Sequence, residues 1–308
     1  MGANDGTTDL IERFLAGGRA FVKMHGLRND FVIVDGRERP FRPDVSEIVW
    51  ICDRHAGIGG DQLLVLERPR TPGSDVFLRI LNVDGREVGM CGNATRCVAW
   101  LLMEETGRPD VVLETLAGRL RCVRTGPMSV AVNLGPIRTG WRDVPLSEPR
   151  DTLHLGLEAG PLRDPVAVNV GNPQVVFFVD NFDAVDIPAH APAIQNDPLF
   201  PEQANVAVAQ VLDDRTIRLQ VWERPGLLTE ACGSGACAAA AAARARKLIA
   251  ANEVEVRMPG GTVRVTLLDD GSVVMDGEVA VAFAGRMPDP AAGSRSDVHS
   301  WSHSRPGP

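Results

Sequence analysis

An internal repeat limits this chain to a small set of folds. LNVDGREVGMCGN (81–93) and WERPGLLTEACGS (222–234) superpose without a gap at an offset of 141. Each runs from an apolar β-type stretch through a polar residue and a turn glycine to Cys-Gly at the start of a helix. Cys91 then lies opposite Cys232, and Asn82 opposite Glu223. A second match, RNDFVIVD (28–35) with GNPQVVFFVD (171–180), sets Asn29 opposite Asn172 at an offset of 143, and the same offset sets Gln62 opposite Asn205. β-rich sequences align readily with one another, so a single pair carries little weight. Four pairs in one order point to two similar halves.

The elements between these anchors are mostly strands. Short apolar or alternating runs bounded by turn residues occur at 31–36, 62–67, 76–85, 111–118, 166–173, 175–180, 205–214, 216–223, 254–261, 262–271 and 272–283. Two long segments read as helix, 92–105 and 233–249, with a third around 45–55. The two long ones open just after a cysteine, where Asn93 or Ser234 is expected to cap the first turn. The expected fold class is α+β, with two pseudo-symmetric lobes, each an antiparallel-rich sheet wrapped around a central helix. The lobes are expected at 19–135 and 136–276, and the sequence leaves open whether the last strand, about 277–286, returns to the first lobe. Residues 1–18 and 287–308 lack periodicity and read as a disordered extension and tail.

Composition narrows the function. The 308 residues carry 32 Lys+Arg against 40 Asp+Glu, with no basic run interleaved with aromatics, so neither nucleic acid nor a membrane surface is an expected partner. The acidic start MGANDGTTDLIERFLAGG lacks the features of a secretory signal, and no apolar run approaches a membrane span, so the expected location is the cytoplasm. Six cysteines are too sparse for a disulfide scaffold, and none has the spacing or neighbouring His of a zinc site; no metal is expected. Cys52, Cys97, Cys122 and Cys237 read as small buried side chains. His25 and His55 read as structural.

Cys91 and Cys232 differ from the other four because they stand at helix starts. The partial positive charge of a helix N-terminus favours a thiolate, which is a base as well as a nucleophile. One thiolate and one thiol facing each other suit the inversion of a carbon centre, with a base on one face and an acid on the other. The backbone N–H groups of Gly92-Asn93 and Gly233-Ser234 can take a carboxylate and stabilise the charge that moves onto it. No cofactor is then required, and no nucleotide-binding glycine loop or lysine motif for pyridoxal is visible.

With these residues set out, the chain resembles bacterial diaminopimelate epimerases over residues 21–285. The resemblance is carried by KMHGLRNDFVIVD (23–35), GIGGDQLLVLE (57–67), LNVDGREVGMCGNATRC (81–97), VGNPQVVFFVD (170–180), FPEQANV (200–206) and WERPGLLTEACGSGAC (222–237). It implies conversion of LL-diaminopimelate to the meso isomer, on the way to lysine and peptidoglycan precursors, by proton transfer between Cys91 and Cys232. It further implies that Gly92, Asn93, Gly233 and Ser234 hold the reacting carboxylate. Asn29, Gln62, Asn82, Asn172, Asn205, Glu223 and Arg224 would line the rest of the pocket, with a small amino-acid substrate and, as an option, a homodimer. Arg224 and the amides can serve a distal ammonium and carboxylate. The chain departs from the family at Arg28 and Pro225, where Gly is usual, and at Gln174, where His is frequent. Gln174 can only hydrogen-bond, so Glu223 and the helix termini are expected to tune the thiols.

Other readings stay open at this stage. Asn29, Asn82 and Asn172 also fit turn formers, and Glu223-Arg224 fits a solvated pair. A proline or hydroxyproline racemase of the same fold would lack a distal ionic centre to match. A redox pair would use a Cys91–Cys232 disulfide as its working state. A binding module would bind ligand without exchanging its α-hydrogen.

Overall fold

A computed structural model describes residues 18–287, Pro225 excepted. The disordered extension and tail expected over 1–18 and 287–308 lie outside the described residues, apart from Gly18 and Met287, as does the departure at Pro225. The fold is α+β, with two sheet-rich lobes that each enclose one helix. Among the described residues four α-helices accompany the strands: α1 (Val45–Cys52), α2 (Gly92–Thr106), α3 (Ile187–Gln195) and α4 (Gly233–Ala245).

Strand register repeats between the halves at the sequence offsets. Phe31 faces Gln62 in a parallel pair, and 143 residues on Gln174 faces Asn205 in another. Ile80 faces Val88, and 141 residues on Val221 faces Thr229. The outer hairpins follow, with Val111 on Cys122 recurring as Val254 on Val265, and Cys122 on Val132 recurring as Val265 on Met275. The lobes join where Ser129–Pro136 pairs antiparallel with Ser272–Glu278. There Val132 faces Met275, its own counterpart in the repeat, so the pseudo-two-fold axis passes between them. The last strand, Ala280–Met287, pairs with the first, Arg19–Gly26, and so returns to the first half's sheet.

Each lobe closes on its helix because side-chain size allows it. The strands around α2 turn Met24, Phe31, Leu64, Ile80, Leu113 and Val130 inward onto Ala94, Val98 and Leu102. Each such large side chain contributes about 1.5–3 kcal/mol when fully buried. Around α4 the contacting residues are Ala236, Ala239, Ala240 and Ala243, and their small size lets the strands approach closely.

Several local expectations need correction. The N-caps are Cys91 and Cys232 themselves, in extended conformation, while Asn93 and Ser234 lie one residue inside the first turn. The fourth helix stops at Ala245 rather than 249, because Lys247 turns to a left-handed φ of 59° and Ile249 leaves the helix to join the core. The third segment ends at Cys52 rather than 55, where Asp53 is extended. Strands Arg19–Gly26, Gly118–Gly126 and Ser129–Pro136 and helix α3 were not anticipated. The run 272–283 splits at Val279 into two strands. Among the described residues no helix is long and apolar enough to cross a membrane.

Candidate active site

Cys91 and Cys232 occupy equivalent backbone positions, with φ/ψ of −142°/114° and −131°/104°. In each case a strand and turn deliver an extended cysteine whose next residue starts the enclosed helix. Packing favours glycine at these starts. A Cβ on Gly92 would lie 2.7 Å from Met275 Cε, and one on Gly233 would lie 2.7 Å from Met275 Sδ. Both helix starts therefore rest on one buried thioether beside the pseudo-axis. Glycine there also leaves the first-turn N–H groups open to a ligand.

Above this floor lies a cleft of about 560 Å³, lined by both cysteines. All eleven residues expected to bind substrate line it: Asn29, Gln62, Asn82, Gly92, Asn93, Asn172, Asn205, Glu223, Arg224, Gly233 and Ser234. The twofold repeat thus brings together residues as far apart in sequence as Asn29 and Ser234. Gln174 does not line the cleft. It is wholly buried behind it, where its Nε2 donates to Asn172 Oδ1 at 2.9 Å and to Ser234 Oγ at 3.0 Å.

The polar wall is prearranged. Gln62 Nε2 donates to Asn82 Oδ1 at 2.8 Å, and Asn205 Oδ1 accepts from the Arg224 backbone N–H at 3.0 Å. The Arg224 guanidinium is anchored by one nitrogen, which donates to the Glu202 carbonyl at 2.7 Å. Asn29 Nδ2 donates to Asp61 at 2.8 Å, leaving its Oδ1 toward Asn93 Nδ2 at 3.2 Å and Cys91 Sγ at 3.8 Å. Arg86, Glu87, Met90, Glu202 and Gln203 also line the cleft and were missed, although they stand inside the GREVGMCG and FPEQAN stretches that carry the repeat.

The thiols answer chiefly to burial. It pushes Cys91 up to about 11 against a usual 9.0, with a further push from the negative charge of Glu223, opposed by the backbone N–H groups of Ala94 and Asn93. Cys232 is raised well above 9.0 by burial and then by Glu223, against donation from Ser234 and from Gly235 N–H, 3.3 Å from its sulfur. The helix termini therefore lower both thiols against the push of burial and of Glu223. Glu223 is itself raised by burial, although Thr229 Oγ1 donates to it at 2.7 Å. Cys52, Cys97, Cys122 and Cys237 are buried with raised pKa values and do not line the cleft. Among the described residues no group of three or more His, Cys, Asp or Glu could hold a metal ion.

The arrangement offers two proton carriers beside one polar pocket, with donors for a carboxylate at both helix starts. The profile of the family described as diaminopimelate epimerase matches residues 21–139 and 166–282, which are the two halves of the repeat. A diaminopimelate epimerase of Acidiphilium cryptum is 47% identical over 273 residues, covering 89% of this chain and 98% of the relative. One of Rhodospirillum centenum is 46% identical over 269 residues, covering 87% and 92%. Among solved structures, a probable proline racemase from Agrobacterium radiobacter has the same fold at a TM-score of 0.63 and 17% identity, covering 88% of this chain and 94% of the other. A Bacillus anthracis phenazine biosynthesis protein of the PhzF family matches at 0.63 and 16%, covering 87% and 98%. The chain belongs to the diaminopimelate epimerase family.

Proposed function

We propose that this protein is a cytoplasmic, cofactor-independent isomerase that interconverts LL- and meso-diaminopimelate, with Cys91 and Cys232 as its two proton carriers. The observation that carries the reading is the convergence of both cysteine-bearing helix starts on one cleft over Met275. The reacting carboxylate docks on the N–H groups of Gly92, Asn93, Gly233 and Ser234, which places the α-carbon between the sulfurs. One thiolate removes the α-hydrogen as a proton, and the C–H electron pair delocalises onto the carboxylate, where the N–H groups stabilise it. The opposite thiol gives its proton to the other face and is left as thiolate. The two cysteines have then exchanged states, and the reverse reaction runs through the exchanged pair.

The remaining groups position the substrate. Arg224 has guanidinium donors left for the distal carboxylate, and Glu223, Glu202 and the amide oxygens can accept from ammonium groups. Burial raises both thiols, and the substrate's ammonium charges beside them favour the thiolate that the reaction needs. The oligomeric form proposed is a homodimer. The test is incubation of reduced protein with LL-diaminopimelate without added cofactor, alongside Cys91→Ser and Cys232→Ser. Formation of the meso isomer by the parent and its loss in both variants is expected. Retention of epimerisation by either variant, or turnover of proline but not diaminopimelate, would overturn the reading.

A further inference from the structure

Arg96 is the largest fully buried side chain among the described residues, on the inner face of α2 and one turn beyond Cys91. Its place is reserved by two glycines. A Cβ on Gly277 would collide with its Nη1, and one on Gly26 would lie 3.1 Å from its Nη2. No carboxylate forms an ion pair with it among the described residues. Its one hydrogen bond runs from Nη2 to Asn93 Oδ1 at 2.7 Å, while Nε and Nη1 have no partner. Arginine stays cationic when buried, and an unpaired buried charge costs several kcal/mol. A fold retains such a group when something else needs the charge.

The need is visible in what Asn93 does. A guanidinium can only donate, so it fixes the Asn93 oxygen toward itself and turns the amide nitrogen to Asn29 Oδ1. Asp61 holds the other end of Asn29 by accepting from Nδ2. The Asn29 oxygen is thereby left facing Cys91. The repeat has no second copy of this device, since the residue equivalent to Arg96 at the 141 offset is Cys237. The groups that face the guanidinium are Cys91, Cys97 and Cys237 on the two helices and Asp276 on the joining strand. Asp276 is engaged elsewhere, accepting from Thr125 Oγ1 at 2.7 Å.

We propose that Arg96 is a positioning residue that sets the direction of the Asn93 and Asn29 amides and places one fixed positive charge behind the Cys91 helix start. That charge offsets the negative charge that gathers in the cleft as substrate carboxylate, thiolate and carbanion come together. The assignment rests on the proposed epimerase reading. Its stability signature is inverted, because an apolar chain of similar length removes the burial cost of an unpaired cation, which outweighs the one hydrogen bond lost at Asn93.

The test compares Arg96→Met and Arg96→Lys with the parent in thermal denaturation, in kcat and KM against pH, and in pH-dependent alkylation of the Cys91 peptide by iodoacetamide. For Arg96→Met the expected result is a Tm equal to or above the parent's and a kcat lowered at least about tenfold. Its Cys91 alkylation midpoint should rise by about one pH unit, equivalent to tenfold in thiolate fraction. Arg96→Lys, which keeps the charge, should hold the midpoint within about 0.3 pH unit of the parent's. A kcat within twofold and an unmoved midpoint in Arg96→Met would overturn the proposal. So would parallel loss of Tm and activity with the midpoint unchanged. Should Arg96→Met fail to fold, a midpoint in Arg96→Lys displaced by a full pH unit decides against it. Alkylation needs no substrate, so a parent that fails to epimerise diaminopimelate removes the functional reading while this comparison still decides the role of Arg96.

Discussion

Gly92→Ala probes the packing on which the site rests. The added Cβ would lie 2.7 Å from Met275 Cε and 3.8 Å from Leu134 Cδ2. Carbon contacts are comfortable at about 3.5–4.0 Å, so the thioether end is about 1 Å too close and the leucine is not. Overpacking of this size costs about 1–3 kcal/mol, or about 2–4 °C in Tm for each kcal/mol in a domain of this size. Met275 is fully buried, and Met275→Ala alone should cost about 2–5 kcal/mol through the cavity it leaves. In the double variant the new methyl enters that cavity. The combined loss should therefore fall short of the sum by at least about 1 kcal/mol, well above the roughly 0.3–0.5 kcal/mol scatter of independent sites. Gly233→Ala should couple to Met275→Ala in the same way, since its Cβ would meet Met275 Sδ at 2.7 Å. Urea denaturation of the six proteins of the two cycles provides the numbers. Simple additivity in either cycle would show that the helix start concerned does not rest on Met275, and the argument for a shared cleft floor would fail.

Glu223→Gln removes a negative charge that raises both thiols, so both should ionise at lower pH. Alkylation at pH 8 should accelerate about tenfold for every pH unit by which a thiol's midpoint falls, while KM for diaminopimelate rises; unchanged alkylation would exclude Glu223 from thiol control. Asp30 is paired with Lys23 at 2.7 Å and Arg54 at 2.7 Å, and although burial opposes its ionisation these partners hold its carboxyl well below the usual 3.8. Its stabilisation is present above pH 3.8 and is lost as the pH falls toward the folded-state value. Asp30→Asn should therefore lower Tm at neutral pH and flatten the Tm slope below about pH 4; an unchanged acid slope would refute this. Arg28 has a left-handed φ of 68° and bridges to Glu230 at 2.9 Å with both side chains more than half exposed. Arg28→Gly relieves about 1–2 kcal/mol of backbone strain and loses an exposed pair worth about 0–1 kcal/mol, so Tm should hold or rise. A loss above about 2 kcal/mol would mean that the bridge does more than an exposed pair can.

The repeat made the two lobes and the cleft legible, because equal offsets in sequence became equal registers in strand pairing. Asn29, Asn82 and Asn172 could each be a turn former when read singly, and only the resemblance to the epimerase family marked them as pocket residues. The strand Gly118–Gly126 escaped notice because Arg119 and Arg121 take outward positions and only Leu120 and Cys122 turn fully inward, leaving little apolar signal. Helix α3 was hidden by Pro192 inside it, normally a breaker, whereas Pro188 stands in the first turn, where proline is tolerated. Cap positions were read from Asn93 and Ser234, the better capping types, whereas the chain gives those positions to cysteine. The thiol states were not legible, since they depend on how tightly the cleft buries the sulfurs. Arg96 was equally silent, as an arginine in a helix reads as solvent-facing until the space left by Gly26 and Gly277 is seen.

The account stands on two thiols addressing opposite faces of one carbon, and deuterium labelling early in the reaction tests this most directly. LL-diaminopimelate is incubated with the reduced protein in deuterium oxide, and both isomers are recovered at about one-tenth conversion for α-carbon label. Since a thiol carries a single proton, return to the starting face restores the original hydrogen, whereas delivery from the opposite thiol brings solvent deuterium. Label should therefore fill the meso product while the remaining LL substrate stays unlabelled. Comparable label in both isomers from the outset, or exchange into the substrate without inversion, would contradict the two-sided arrangement of Cys91 and Cys232.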